Sequence, residues 1–129
     1  MEFAWNTEKN KMSDIKGKEM EQERKGKISN EEIDLDKTHL NYDLVESNKN
    51  LYQRVKDRVE EVRAVSRIQK NSVVDYSNII TVPKEQFEKW GLDKSKKYLE
   101  EVYNYFCEEF GKENVVSAKV HLDETTPHM

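Results

Sequence analysis

The amino-acid sequence predicts an α+β fold in which an antiparallel or mixed β-sheet carries helices packed on one face. Segments 38–45 and 115–122 alternate apolar and polar residues with the period of a half-buried strand. Segment 72–82 is rich in β-branched residues, which favour strands. Segments 51–62 and 93–110 instead repeat apolar residues at helical spacing. Strands and helices therefore alternate along the chain, as a layered domain of sheet and helices requires.

Length and composition limit the domain organisation. The chain has 129 residues, of which 37% are charged and 35% are hydrophobic. We expect one domain over residues 1–129, because a globular chain of this size buries roughly two-thirds of the surface that its unfolded form exposes. No apolar run approaches the ~18 residues of a membrane helix, and the single cysteine, Cys107, excludes an intramolecular disulfide framework. The sequence therefore predicts a cytoplasmic protein without a membrane segment.

The first third of the chain is predicted to contain two strands separated by a loop. Phe3 and Trp5 alternate with polar neighbours, which indicates an opening strand. Segment 11–36 is polar and lacks a sustained apolar period, so we expect a loop with at most a helical turn. In segment 38–45, Tyr42 and the other apolar residues of the alternation face the core of a strand.

The rest of the chain is predicted to form a helix, a strand, two further helices and a last strand. Cap residues, prolines and glycines mark the boundaries of these elements. They are Ser47 or Asn48 before helix 51–62, Pro83 after strand 72–82, Gly91 after a short helix at 84–90, Asp93 at the start of helix 93–110, and Gly111 after it.

The strand alternation also predicts a polar face on the sheet. This face is expected to carry His39, Asn41, Asp43, Lys119 and His121. An open polar sheet face is a suitable place for a functional site, because its side chains are not needed for the core.

The distribution of charge is more informative than its sum. A net charge of −4 argues against a nucleic-acid partner, because phosphate binding normally needs an excess of basic residues. Segment 49–70, however, has seven basic residues against three acidic ones. Within it, Arg54 and Arg58 lie four residues apart on the side of the helix away from its apolar stripe, and both are candidate DNA contacts. The alternative is a solvated helix face of mixed charge.

The last nine residues, HLDETTPHM, hold most of the candidate chemistry. His121 and His128 are seven positions apart, and a turn at Pro127 can bring the second histidine back towards the first. Neutral imidazoles with carboxylates nearby suit a divalent cation. The alternative is a set of exposed polar residues at a frayed chain end.

Three motifs resemble a known family in their order and separation. HLNYDLV (39–45), SVVDYSNIITVP (72–83) and VHLDETTPHM (120–129) are similar to the N-terminal catalytic region of the Mob/Pre plasmid mobilisation and recombination proteins, which are relaxases of the HUH-like class. In this family the last motif continues as His-x6-His-x-His, and the three histidines bind a divalent metal, manganese or magnesium. His121 and His128 match the first two. The third would lie one position after Met129, so the resemblance implies a relaxase-like domain that is incomplete at its C-terminus.

The resemblance implies an enzyme that cuts one DNA strand at an origin of transfer by transesterification and remains joined to the 5′ phosphate. His121 and His128 would be its metal ligands. Glu124, three residues after His121, would act either as a general base or as a carboxylate that orients a ligand. The implied partner is single-stranded DNA or an origin-of-transfer hairpin.

The sequence departs from the family pattern at the position of the residue that attacks the DNA. Many relatives carry a nucleophilic histidine in a His-x-x-Arg motif, and the aligned residues here are Glu21-Gln22-Glu23-Arg24. Glu21 and Tyr42 are the candidate nucleophiles, although Tyr42 points to the core face and a carboxylate–phosphate anhydride is an unstable linkage. Arg24 suits a phosphate contact, because guanidinium binds phosphate through paired donors. A non-catalytic DNA-binding remnant and an acidic interaction domain without metal stay open as alternatives.

Overall fold

A computed structural model describes residues 5–25, 33–63, 69, 72–124 and 126–129. Its helices and strands, in chain order, are β1 (Trp5–Lys11), α1 (Ile15–Gln22), β2 (Tyr42–Asp43), α2 (Leu51–Arg63), β3 (Val73–Ile80), α3 (Lys84–Phe110) and β4 (Lys119–Val120). Short 3₁₀ turns occupy Met12–Asp14, Leu35–Leu40 and Lys112–Asn114. Within the described part of the chain, no helix is long and apolar enough to cross a membrane.

The four strands form two antiparallel pairs, and the last residues of the chain join these pairs into one sheet. β1 pairs with β3, and β2 pairs with β4. His128 forms antiparallel bridges to both Thr81 and His121. Met129 exchanges backbone hydrogen bonds of 2.9 and 2.8 Å with Ile80. The order across the sheet is therefore β1, β3, the terminal segment 127–129, β4 and β2.

Helices cover both sides of this sheet. On one side, α3 packs against β3 and β4 in a core that includes Leu99, Phe106, Ile80 and Val120. A second core joins α1 and α2, with Ile15 at its centre between two valines of α2. The α+β class is confirmed, and the structure adds a second helical layer to the one that the sequence predicted.

The prediction that segment 11–36 is a loop is wrong for its first half. Helix α1 occupies Ile15–Gln22, and only Ile15 of this helix is buried. Polar contacts hold the rest: Lys18 Nζ lies 2.7 Å from Glu8, and Glu19 accepts a hydrogen bond of 3.1 Å from the backbone N–H of Tyr52. A helix fixed by one apolar anchor and several polar contacts has no apolar period to detect. Residues 26–32 lie outside the described part of the chain.

The strand predicted over 38–45 is also shorter than expected. Only Tyr42–Asp43 pairs with β4, and a 3₁₀ turn extends through Leu40, which is exposed. The carboxylate of Asp34 caps this turn by accepting the N–H of Asp36 at 3.1 Å. Local hydrogen bonds of this kind compete with strand pairing. Tyr42 and Leu44 nevertheless pack against the α3 core, as the alternation predicts.

Most of the later boundaries are confirmed. β3 lies inside the predicted strand, and the backbone at Gly91 leaves the helical region with a φ of +79°, which separates the two predicted helices. α2 begins at Leu51, but the predicted caps Ser47 and Asn48 are wrong, because the side-chain oxygen of Asn50 accepts the N–H of Gln53 at 2.8 Å. The opening strand is confirmed from Trp5 onward, whereas Phe3 lies outside the described residues. The last strand is shorter than predicted: only Lys119–Val120 pairs with β2, and the N–H of Ala118 donates to the carboxylate of Asp43.

Asp43 ties β2, β4 and α2 together. Its carboxylate lies 2.7 Å from Arg54 Nη1 and accepts hydrogen bonds from Ser117 Oγ at 2.6 Å and from the N–H groups of Ala118 and Val45 at 2.9 Å. Burial opposes ionisation of this group, but these donors outweigh burial and lower the pKa of Asp43 below its ordinary value. The charged carboxylate is therefore part of the folded structure.

Replacing Asp43 by asparagine is expected to lower the free energy of unfolding at neutral pH by about 3 kcal/mol, because it leaves the guanidinium of Arg54 without its carboxylate. The folded pKa lies below the unfolded one, so the contribution of Asp43 is complete above the unfolded pKa and is lost as pH falls through the folded pKa. Urea unfolding at neutral pH and near pH 3 measures both effects.

The control is Asp57→Asn, which removes a half-exposed carboxylate paired with Lys49 and is expected to change stability little. If Asp43→Asn is as stable as the wild type at neutral pH, the structural role of Asp43 is wrong.

Candidate functional site

The polar side of β4 lies against the C-terminal end of α1. Ser117 Oγ accepts a hydrogen bond of 2.8 Å from the Gln22 side chain, and Lys119 Nζ lies 2.9 Å from Glu23. The sequence predicted an open polar face here, and that prediction is wrong because the end of α1 covers it. The covering residues, 22–24, belong to the stretch aligned with the His-x-x-Arg motif.

His121 and His128 lie side by side across an antiparallel pair of backbone hydrogen bonds, of 2.8 and 3.3 Å. Their rings are stacked, with centroids 4.9 Å apart and planes inclined by 27°. The prediction that a turn at Pro127 returns His128 towards His121 is confirmed. Two residues seven apart in the sequence therefore present adjacent imidazoles.

The imidazole of His121 is held in one tautomer by the end of α1. Its Nε2 lies 2.9 Å from the carbonyl oxygen of Gln22, so Nε2–H donates and the lone pair resides on Nδ1. Burial lowers the pKa of His121 to about 4, with the Gln22 carbonyl opposing this effect and His128 and Arg24 reinforcing it. Nδ1 is buried and has no hydrogen-bond partner among the described residues. A neutral ring with a buried, unpartnered lone pair fits a metal ligand.

His128 is oriented by a carboxylate. Its Nδ1 lies 3.2 Å from Glu124 Oε2, which leaves Nε2 available to a cation. The two histidines therefore fit part of a divalent metal site. Among the described residues, no cluster of three or more histidine, cysteine, aspartate or glutamate side chains has the arrangement of a complete metal site.

Asp123 is a buried carboxylate that the sequence did not single out as a site residue. Arg24 Nε and Nη2 each donate to one of its oxygens at 3.0 Å, and Thr38 Oγ1 donates at 2.8 Å. Burial acts against the charged form, but these donors hold the pKa of Asp123 well below its usual range. Two features of the sequence point to the Arg24–Asp123 pair. Asp123 lies between the two candidate ligands, and Arg24 lies in the matching motif, but neither feature predicts that the two residues are in contact.

The predicted DNA-binding arginines make contacts within the protein. Arg24 pairs with Asp123, and Arg54 pairs with Asp43 while also donating to the carbonyl oxygen of Val116 at 3.1 Å. Arg58 is more exposed and contacts Asn114 at 2.9 Å and Glu61 at 2.8 Å. Binding of Arg24 or Arg54 to DNA stays a prediction, and it requires exchange of these internal partners.

The two candidate nucleophiles lie on different sides of β4. The Glu21 side chain is 75% exposed at the end of α1, one residue before the carbonyl that contacts His121. Tyr42 pairs with Val120, packs in the α3 core, and has its pKa raised by burial and by Glu100. The structure therefore brings the backbone at Glu21 close to the histidine pair and does not bring Tyr42 there.

Comparison with known proteins gives a consistent family. The family model described as plasmid recombination enzyme matches residues 2–129. A plasmid recombination enzyme from Bacillus sp is 37% identical over 126 residues, which are 95% of this chain and 30% of the relative. A plasmid recombination enzyme type 2 from Staphylococcus aureus strain Mu50 is 35% identical over the same length, with the same coverage. The chain thus spans less than a third of the length of these curated relatives.

Solved structures with the same fold are relaxase domains. A manganese-bound crystal structure of the MobM relaxase domain with plasmid pMV158 oriT DNA is 34% identical, with a TM-score of 0.91 over 100% of this chain and 68% of that one. A second structure, with a 26-nucleotide oriT DNA, is 30% identical with a TM-score of 0.79 and covers 66% of that chain. The similarity extends over the whole sheet and its helices.

Proposed function

Because the chain belongs to the plasmid recombination enzyme family, Mob/Pre, we propose that it is the catalytic region of a DNA relaxase. It cuts one DNA strand at an origin of transfer by metal-dependent transesterification. The observation that carries this proposal is the antiparallel His121–His128 pair, placed against the end of the helix that bears Glu21. The proposed location is the cytoplasm, where plasmid DNA is found.

His121 and His128 hold a divalent cation, manganese or magnesium, through the ring nitrogens that their neighbours leave free. When bound, this cation polarises the scissile phosphate and neutralises charge on its oxygens. Glu124 orients His128 through Nδ1. Its contact with His128 favours this positioning role over the alternative role of general base.

Glu21 is the proposed nucleophile. One oxygen of its carboxylate forms a bond to phosphorus, and the bond from phosphorus to the 3′ oxygen breaks. The 3′ oxygen takes up a proton and leaves as a hydroxyl, while the protein stays joined to the 5′ phosphate through an anhydride. A carboxylate needs no base to remove a proton before it attacks, which agrees with the engagement of Glu124 by His128.

The test of this proposal is a covalent adduct. We expect the full-length protein, incubated with manganese and a labelled single-stranded origin oligonucleotide, to give a slow band on a denaturing gel. Addition of a chelator should abolish the band, because phosphate activation at the histidine pair needs the metal. Absence of any adduct with manganese present would contradict catalysis.

One observation favours a second function, a DNA-binding remnant that cuts no strand. Glutamate stands at position 21, where the family motif has a nucleophilic histidine. On this alternative, the oligonucleotide shifts in a native gel without any adduct. The shift should weaken as salt rises, since basic side chains that bind phosphate release counterions from the DNA. Arg58, which is more exposed than Arg54, is the candidate contact on α2.

A further inference from the structure

Helix α1 ends in a turn that normally requires glycine. The N–H of Lys25 donates to the carbonyl of Met20 at 2.8 Å, and the N–H of Arg24 donates to that of Glu21 at 3.3 Å. These two bonds define a Schellman motif, in which the residue at the position of Arg24 is left-handed. Arg24 has a φ of +55°, a conformation that an L-residue with a Cβ adopts under strain. A glycine would fit this backbone better. The presence of arginine is therefore explained by the contacts that its side chain makes.

The guanidinium of Arg24 joins the end of α1 to the turn between the two histidines. Nη1 donates to the carbonyl oxygen of Glu21 at 3.1 Å, which closes the helix. Nε and Nη2 form the paired contact with Asp123, and Nη2 also lies 3.4 Å from Glu124. The side chain is 9% exposed and that of Asp123 is fully buried, so little solvent screens the pair.

At each end of this link, one group contacts an imidazole of the pair. The carbonyl of Gln22, within the same helix end, accepts from His121 Nε2. Glu124, on the turn, lies against His128 Nδ1. The backbone N–H of Asp34 also donates to the carbonyl oxygen of Asp123 at 2.6 Å, which fixes the turn from the other side. One side chain therefore connects the two groups that set the tautomers of the two histidines.

We propose that Arg24 is a positioning residue that holds His121 and His128 in a single pair of tautomers, with Nδ1 of one ring and Nε2 of the other left free. It acts through the Gln22 carbonyl and through Glu124, and does not itself touch the cation. Its consequence for strand cutting rests on the proposed function. Its effect on the imidazoles does not, because the contacts involved are made between groups of the protein itself.

The test uses Arg24→Gly, which suits the backbone of the turn and removes the guanidinium together with its aliphatic stem. Nitrogen-15 NMR of the histidine side chains in the full-length, metal-free protein reports the tautomer of each ring. In the wild type we expect one tautomer for His121 and the opposite one for His128. In Arg24→Gly we expect mixed tautomers at both. The side chain of His39 is exposed on the turn Leu35–Leu40 and serves as the internal reference.

Manganese affinity gives a second measurement. Calorimetry should show a decrease of about 10- to 100-fold in Arg24→Gly, the usual cost of losing groups that orient metal ligands. Arg24→Lys keeps the charge but supplies no planar fork, so it should give a decrease in the same direction, and it carries the test if Arg24→Gly does not fold. The matched control is Arg54→Lys, which disturbs another largely buried arginine–carboxylate pair and should leave the histidine tautomers unchanged.

The proposal is overturned if the Arg24 variants that fold retain the wild-type tautomers and manganese affinity. It is also overturned if Arg54→Lys alters the imidazoles as much as they do, since the effect would then be general loss of stability. A protein with the expected tautomers that forms no DNA adduct would contradict the proposed function alone.

Discussion

Glu21→Gln is expected to abolish covalent joining of the protein to DNA. The amide cannot attack phosphorus as the carboxylate does, and loss of a nucleophile typically lowers the rate by at least on the order of 10³-fold. The Glu21 side chain is exposed and its nearest cation, Lys18, is 3.8 Å away, so the substitution should leave the fold intact. The amount of adduct on a denaturing gel, at fixed manganese and oligonucleotide, measures the effect.

Glu21→His tests the same position by a gain of chemical stability. An adduct through glutamate is an anhydride and is lost in alkali. An adduct through histidine is a phosphoramidate, which survives alkali and is lost in acid. We therefore expect the variant to give an alkali-resistant band that the wild type does not give. This variant restores the histidine that the family motif has at this position.

Glu8→Gln is the matched control for these two variants. Glu8 is the other partner of Lys18, at 2.7 Å, so its removal disturbs the same cation without touching the proposed nucleophile. We expect Glu8→Gln to form the wild-type adduct. If Glu21→Gln still forms an adduct, the nucleophile is another residue, and Tyr42→Phe is the next variant to compare.

His121→Ala and His128→Ala are each expected to lower manganese affinity by more than about 100-fold, because removing a ligand costs more than removing a group that only orients one. Glu124→Gln should have a smaller effect, since it removes only the carboxylate that contacts His128. Calorimetric titration of the full-length protein with manganese ranks the three. His39→Ala, at an exposed histidine, is the control, and an equal effect there would show that binding is not at the pair.

The sequence predicted those elements whose side chains repeat with a clear period. The alternation around Tyr42 identified its core face, and Gly91 identified the break in the long helix. It did not predict α1, because Ile15 is its only buried side chain and polar contacts with distant residues hold the remainder. Such contacts leave no periodic signal in one sequence.

The candidate site was predictable only where its residues lie close together in the sequence. The motif that contains His121 and His128 identified both residues, and the turn at Pro127 was sufficient to predict that they meet. The partner of Arg24 was not predictable, because Asp123 lies far along the chain and nothing local links the two. Arg54 looked like a surface charge on its helix, yet its acceptors come from three segments that only the fold brings together.

The position of residues 127–129 in the middle of the sheet has a consequence for the order of folding. The strands on either side of this segment, β3 and β4, are both synthesised before it. The pairing of this segment with β4 is local, like that of a hairpin, whereas its pairing with β3 joins residues far apart in the sequence, which slows folding. His121 and His128 therefore belong to the half of the sheet that local contacts can form first. A nascent chain thus brings its candidate metal ligands together before β1 and β3 join that half.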